Sequence, residues 1–334
     1  MLKRLFKSTF LFAFIGILSC GNQNKKEQSS EEIAINNQDK TAVKDIILAA
    51  NRTEAYLPML KGKRVGIVGN QTSIMKNEAG EFSHVVDSLL ALEVNLVKGF
   101  APEHGFRGTA DAGEAVDDGK DAQTGLPVIS LYGDNKKPKA AQLKDLDVLI
   151  FDLQDVGTRF YTYISSLHYV MEACAENDVQ LIVFDRPNPN GHYIDGPILE
   201  TEFKSFVGMH PIPTVHGLTM GEYAKMINGE KWLKDGIQCD LEVIEMENYD
   251  HSKAYDLPVK PSPNLPNAQA INLYPSLCFF EGTNVNAGRG TDKQFQVFGS
   301  PFLDKNYFDF TYTPESKPGA KSPKHLGKEC YGRD

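Results

Sequence analysis

The 334 residues suffice for one large or two ordinary domains, and 41% hydrophobic with 24% charged residues is the balance of a globular chain. A formal charge of −9 at neutral pH argues against non-specific binding to nucleic acid or to an anionic lipid surface. The five cysteines contain no Cys-x-x-Cys pair, so the usual zinc spacings are absent.

Lys3, Arg4 and Lys7 precede an apolar run from Phe10 to Leu18, closed by Ser19-Cys20. A basic segment, a short apolar stretch and small residues at the cut describe a secretory signal over 1–19. Cys20 at the cleavage point gives it the form of a bacterial lipoprotein signal. The expectation is a lipid-anchored protein of the bacterial cell envelope, facing the periplasm or on the outer membrane. Removing 1–19 takes away three basic residues and no acidic one, moving the formal charge from −9 to −12. The membrane link is then the lipid on Cys20. Residues 20–41 are polar and nearly free of aromatics, the composition of a flexible tether.

Apolar spacing predicts a helix over 42–50. Strands and helices then alternate: a strand at 64–68, a helix at 83–92, a strand at 94–100, a strand at 146–152, a long helix from Tyr163 to Asn177, and a strand at 179–184. Near-continuous apolar strands separated by helices predict an α/β fold, a Rossmann-like, doubly wound parallel sheet over 42–205. The remainder, 206–334, is read as a smaller α+β domain with a helix at 220–228. Thr219 and Glu222 have the form of a capping box there, and 240–247 alternates like a half-exposed strand without function. Cys174, Cys239, Cys278 and Cys330 are read as buried free thiols.

Each of the four strands in the first domain is followed at once by polar side chains: Asn70 and Gln71; Glu103, His104 and Arg107; Gln154, Asp155 and Arg159; Asp185, Arg186, Asn188 and Asn190. Parallel strands end on one side, so these groups converge on one crevice. Any single cluster is also explained as a turn; four coincident ones are harder to explain that way. The crevice lacks a Gly-x-Gly-x-x-Gly loop, a Walker loop, a Gly-x-Ser-x-Gly elbow and a His-Glu-x-x-His helix. No cofactor and no metal are therefore expected. What is left, carboxylates beside Tyr161, Tyr163, amides and arginines, suits sugar chemistry. A glycosidase needs one carboxylic acid to protonate the leaving oxygen and a second group as nucleophile, base or stabiliser. Arginines can grip a substrate carboxylate in a fork. From the second domain, Glu281, Asn284 and Arg289 in a glycine-containing loop, and His216, join the candidates.

The segments APEHGFRG (101–108), FDLQDVGTRFYTY (151–163), FDRPNPNG (184–191), VHGLTMGEYA (215–224) and FEGTNVNAGRGTD (280–292) resemble the NamZ-type exo-β-N-acetylmuramidases, from about residue 57 to the end. The resemblance implies release of terminal N-acetylmuramic acid from the non-reducing end of peptidoglycan fragments, in a cleft between the two domains. It places the family's catalytic glutamate on Glu103. The residues themselves leave Asp155, Tyr161 and Glu281 as candidate partners, and point to Arg107 or Arg159 for the lactyl carboxylate. Tyr331-Gly332-Arg333-Asp334 resembles the middle of the family's C-terminal domain, which leads to the expectation of a truncated chain. The competing readings are a non-catalytic, lipid-anchored cell-wall-sugar binding protein, and an esterase or amidase on wall substituents.

Overall fold

Every residue of Val65-Gly66-Ile67-Val68-Gly69 is buried, as a strand must be when helices cover both faces of its sheet. The structure is a computed structural model that describes residues 44–77, 79–103, 105–108 and 118–334; the signal, the tether, Cys20 and His104 lie outside the described residues. In chain order, α1 (Thr53–Leu60) leads into β1 (Val65–Gly69), a hairpin of β2 (Ile74–Lys76) and β3 (Phe82–His84), α2 (Val85–Ala91), β4 (Leu96–Ala101), β5 (Gly119–Lys120) and β6 (Pro127–Ser130). Then come α3 (Ala140–Leu143), β7 (Val148–Asp152), α4 (Tyr163–Glu176), β8 (Gln180–Phe184), α5 (Met220–Gly229), β9 (Leu241–Ile244) and α6 (Ala268–Leu277). The described chain closes with β10 (Phe298–Ser300), β11 (Phe310–Tyr312) and β12 (Cys330–Arg333).

Among the described residues the main sheet has seven strands in the order β5-β6-β4-β1-β7-β8-β9, parallel throughout except for the β5–β6 pair. Counted in chain order, its six parallel strands run 3-2-1-4-5-6, the doubly wound arrangement. The α/β reading therefore holds. The sheet takes its last strand, β9, from beyond residue 205, and this is the acidic, half-exposed stretch read as a strand. A separate antiparallel sheet, β10-β12-β11, follows near the C-terminus.

The pleat sends alternate side chains to opposite faces, which accounts for the unbroken apolar strands. Leu149, Phe151, Leu181 and Val183 pack with Leu167 and Met171 of α4 and Tyr223 and Ile227 of α5. Val148, Ile150, Ile182 and Phe184 face the other way, onto Tyr56, Leu60, Val86 and Leu89. Each such buried side chain contributes about 1.5–3 kcal/mol. The capping box on α5 is present: Glu222 accepts from the Thr219 amide at 2.8 Å and Thr219 Oγ1 from the Glu222 amide at 3.2 Å. The four cysteines from 174 onward are buried and free.

The helix predicted over 42–50 is corrected in its described part. Ile47 instead exchanges both backbone hydrogen bonds with Glu247, at 3.0 Å each, and only a short 3-10 turn, Ala49–Asn51, follows. The apolar spacing is satisfied by burying Leu48, Ala49 and Ala50.

Candidate active site

The sheet changes winding direction between β1 and β7, and the carboxyl ends of those strands and of β4 and β6 bound the crevice where ligands sit in such folds. β4 delivers Glu103. The turn after β6 delivers Tyr132, whose hydroxyl donates to Glu103 Oε1 at 3.2 Å. The segment after β7 delivers Tyr161 and, at the start of α4, Tyr163, whose hydroxyl donates to the backbone oxygen of Glu103 at 3.3 Å. Asn70, at the end of β1, donates to the Tyr163 hydroxyl at 2.8 Å. Three strand ends are thus linked through one tyrosine.

Glu103, Tyr161, Tyr163, Tyr274, Glu281 and Arg289 line one cavity of about 170 Å³, with Phe160 and Phe295 among its apolar walls. Arg289 reaches Glu281 Oε1 at 2.6 Å and lies 5.2 Å over the Phe295 ring, while its Nε has no partner among the described residues. Tyr161 and Tyr163 pack edge to face at 4.8 Å, and the Tyr161 hydroxyl donates to the Pro261 carbonyl at 2.6 Å. Burial, and the Glu103 carboxylate in the case of Tyr132 and Tyr163, pushes these hydroxyls up, Tyr132 to about 12. They are neutral donors at physiological pH. The cavity can therefore deliver a carboxyl group to a bound oxygen, with a second carboxylate, aromatic faces and hydroxyl donors around it.

Several predicted ligand groups have other work. Arg107 forms a double fork: Nε and one terminal nitrogen hold Asp121 at 2.8 and 2.7 Å, and its terminal nitrogens hold Asp87 at 3.2 and 3.0 Å. Its assignment to a substrate carboxylate is corrected, because both edges of the guanidinium are occupied. Arg186 likewise grips Asp152 at 2.6 and 2.9 Å beneath the sheet edge. Asn70 is fully buried, accepting from the Thr72 amide and hydroxyl while it holds Tyr163. Gln154 donates to the carbonyls of Asp155 and Pro187, and Asn188 to that of Leu218. These are turn-building amides, the alternative each cluster carried from the start.

Asp155 is also away from the cavity. Its Oδ2 accepts from the Gly157 amide at 2.7 Å, its Oδ1 is buried without a partner among the described residues, and His216 Nε2 stands 3.3 Å from Oδ2, off the hydrogen-bond direction. His216 Nδ1 accepts from the Leu218 amide. Arg159 donates to the carbonyls of Pro197 and Ile212 at 2.8 and 2.5 Å. Asn284 is exposed and offers its backbone oxygen to His325. Gln71 donates to the carbonyls of Lys260 and Pro261 and borders a second, neighbouring cavity. Among the described residues, no group of three or more His, Cys, Asp and Glu side chains is placed to hold a metal ion.

Tyr132, Tyr274 and Ser262 were missed as site residues. Tyr132 follows a fifth strand end, that of β6, which the same strand-end argument finds once Pro127-Val128-Ile129-Ser130 is recognised as a strand. Tyr274 on α6 carries no sequence signal beyond its neighbours.

Residues 65–269 match the family profile described as the N-terminal part of exo-β-N-acetylmuramidase NamZ, and 272–334 match its C-terminal part. The chain is 42% identical over 291 residues to the peptidoglycan β-N-acetylmuramidase NamZ of Bacillus subtilis (strain 168), covering 83% of this chain and 69% of that protein. Two crystal structures of DUF1343 family proteins from Bacteroides fragilis NCTC 9343 are similar. One is 49% identical with a TM-score of 0.79, over 87% of this chain and 76% of that one. The other is 32% identical with a TM-score of 0.74, over 86% and 76%.

Proposed function

The chain belongs to the exo-β-N-acetylmuramidase NamZ family, and from that premise we propose that it is a glycoside hydrolase releasing terminal N-acetylmuramic acid from the non-reducing end of peptidoglycan fragments, with Glu103 as general acid. The observation that carries the residue assignment is the shared cavity, in which Glu103 and Glu281 stand among three tyrosines. Glu103 gives its proton to the glycosidic oxygen as the anomeric C–O bond breaks, and water completes the hydrolysis at the anomeric carbon. Of the candidate partners Asp155, Tyr161 and Glu281, we assign the stabilisation of the oxocarbenium-like state to Glu281, a carboxylate on the cavity wall. Arg289 also lines that wall, with an Nε that has no partner among the described residues, so it takes the lactyl carboxylate in place of Arg107.

The decisive experiment is Glu103→Gln, assayed on a chromogenic β-N-acetylmuraminide. Release of the chromophore should vanish while the thermal melting curve is retained. Near-normal turnover would overturn the assignment. The lipid on Cys20 and the envelope location belong to the same proposal and rest on the signal pattern alone. A clickable palmitate analogue should label the wild-type protein in cells, and Cys20→Ala should lose the label.

A further inference from the structure

A cavity of about 170 Å³ is smaller than the roughly 300 Å³ at which ligand pockets usually begin, so a saccharide held at Glu103 must extend beyond it. Ser262 lines this cavity and also a second, larger one of about 530 Å³. The partition between the two is the short segment 260–263. From the catalytic side the Tyr161 hydroxyl holds the Pro261 carbonyl, and from the other side the Gln71 amide holds the carbonyls of Lys260 and Pro261. Asn264 ties the same segment to the far wall through the Gly319 carbonyl at 2.7 Å. The partition is fixed from three directions.

We propose that the larger cavity is the subsite for the leaving group, the 2-acetamido sugar released when the muramic acid is cut off; this rests on the muramidase reading above. Gln71 carries the argument. Its nitrogen is committed to the partition, and its Oε1 is buried with no partner among the described residues, although the residue lines the cavity. A buried acceptor left open is costly unless a ligand or water supplies a donor; a sugar hydroxyl or an acetamido N–H is such a donor. Val259, Pro263 and Pro318 add an apolar face for the pyranose ring, and the Lys317–Asp292 ion pair at 2.5 Å stands at the rim. Gly108 belongs to the same construction: a Cβ there would meet the Gln71 side chain at 2.7 Å, so the glycine lets Gln71 lie flat against the loop after Glu103.

Binding energy from a remote part of a substrate is expressed in turnover as well as affinity. The test compares two substrates on each enzyme: a chromogenic muraminide, whose leaving group is a nitrophenol, and the disaccharide of N-acetylmuramic acid β-linked to N-acetylglucosamine. In Gln71→Ala, kcat/KM on the disaccharide relative to that on the chromogenic glycoside should fall by about tenfold, the loss of one hydrogen bond. Asp292→Trp, a substitution at an exposed rim position, should lower the same ratio by obstructing the cavity, and keeps the test open if Gln71→Ala fails to fold. A ratio unchanged in the folded variants overturns the subsite while leaving the muramidase reading intact. A wild-type enzyme that cuts neither substrate overturns both.

Discussion

The Tyr132 hydroxyl donates to Oε1 of Glu103 across 3.2 Å, joining the turn after β6 to the loop after β4. These strands are neighbours in the sheet, pairing Gly99 with Val128 and Phe100 with Ile129. The register of two parallel strands thus sets where the proposed acid points. Tyr132→Phe removes the donor without changing the ring. A hydrogen bond to a charged group is worth about 1.5–3 kcal/mol, so kcat on a chromogenic muraminide should fall by at least about tenfold, with little change in KM or melting temperature.

Arg107 is a structural residue in this fold, and its loss should be felt in stability. The Asp121 side chain is 1% exposed and held well below the usual carboxylate range by the Arg107 fork and the Thr124 hydroxyl. Arg107→Ala leaves that carboxylate buried without its cation, a change that typically costs about 3–5 kcal/mol. Urea unfolding should show the deficit, and the folded fraction should keep its KM for muramic acid glycosides.

Two buried histidines make the protein acid-sensitive. His210 Nε2 is 2.9 Å from His168 Nδ1, and His210 Nδ1 is 2.9 Å from the Tyr223 hydroxyl. A neutral arrangement satisfies the chain: Tyr223 donates to His210, and His210 donates to His168. Burial pushes His168 down to about 4 and His210 to about 3. Unfolded histidines take up protons near 6.5, so between that value and about 4 the unfolded chain binds more protons than the folded one. Stability is therefore full above pH 6.5 and declines as pH falls toward 4, with a limiting slope of about 1.4 kcal/mol per pH unit for each histidine. A urea midpoint independent of pH between 7 and 4.5 would contradict this.

Gly157 admits no side chain. Its φ is +76°, and a Cβ there would stand 2.3 Å from Asn188 Oδ1, while its amide holds Asp155. Gly157→Ala combines left-handed strain with a clash and should cost about 2–4 kcal/mol. Differential scanning fluorimetry reads the drop. Gly62→Ala is the control: the same strain applies at φ +73°, but nothing lies within 4 Å of the added Cβ, and the cost should be smaller.

Much of the frame was legible in the chain alone. The apolar runs at 64–68, 146–152 and 179–184 had to be buried on both faces, and β1, β7 and β8 are the outcome. The capping box at Thr219 and Glu222 was equally plain, because capping is a local exchange between residues three apart. The edges were harder. Pro58 inside α1 and the short β6 weakened the periodic signal, and the apolar spacing at 42–50 mimicked a helix where tertiary contact with Glu247 makes a strand bridge.

The functional side chains divide along the same line. Residue type sufficed to single out five side chains that line the cavity, with position after a strand marking Glu103, Tyr161 and Tyr163, and a glycine-containing loop marking Glu281 and Arg289. Type and position could not tell an arginine turned to a cavity from one clamped by two aspartates, since Asp87 and Asp121 lie 20 and 14 residues from Arg107. The sequence by itself determined the parallel sheet and the edge at which chemistry gathers, because strand burial and strand polarity are properties of short segments. Only the tertiary structure decided which polar groups at that edge remain available and which are committed to each other, because hydrogen-bond partners are allotted by distances between segments far apart in the chain.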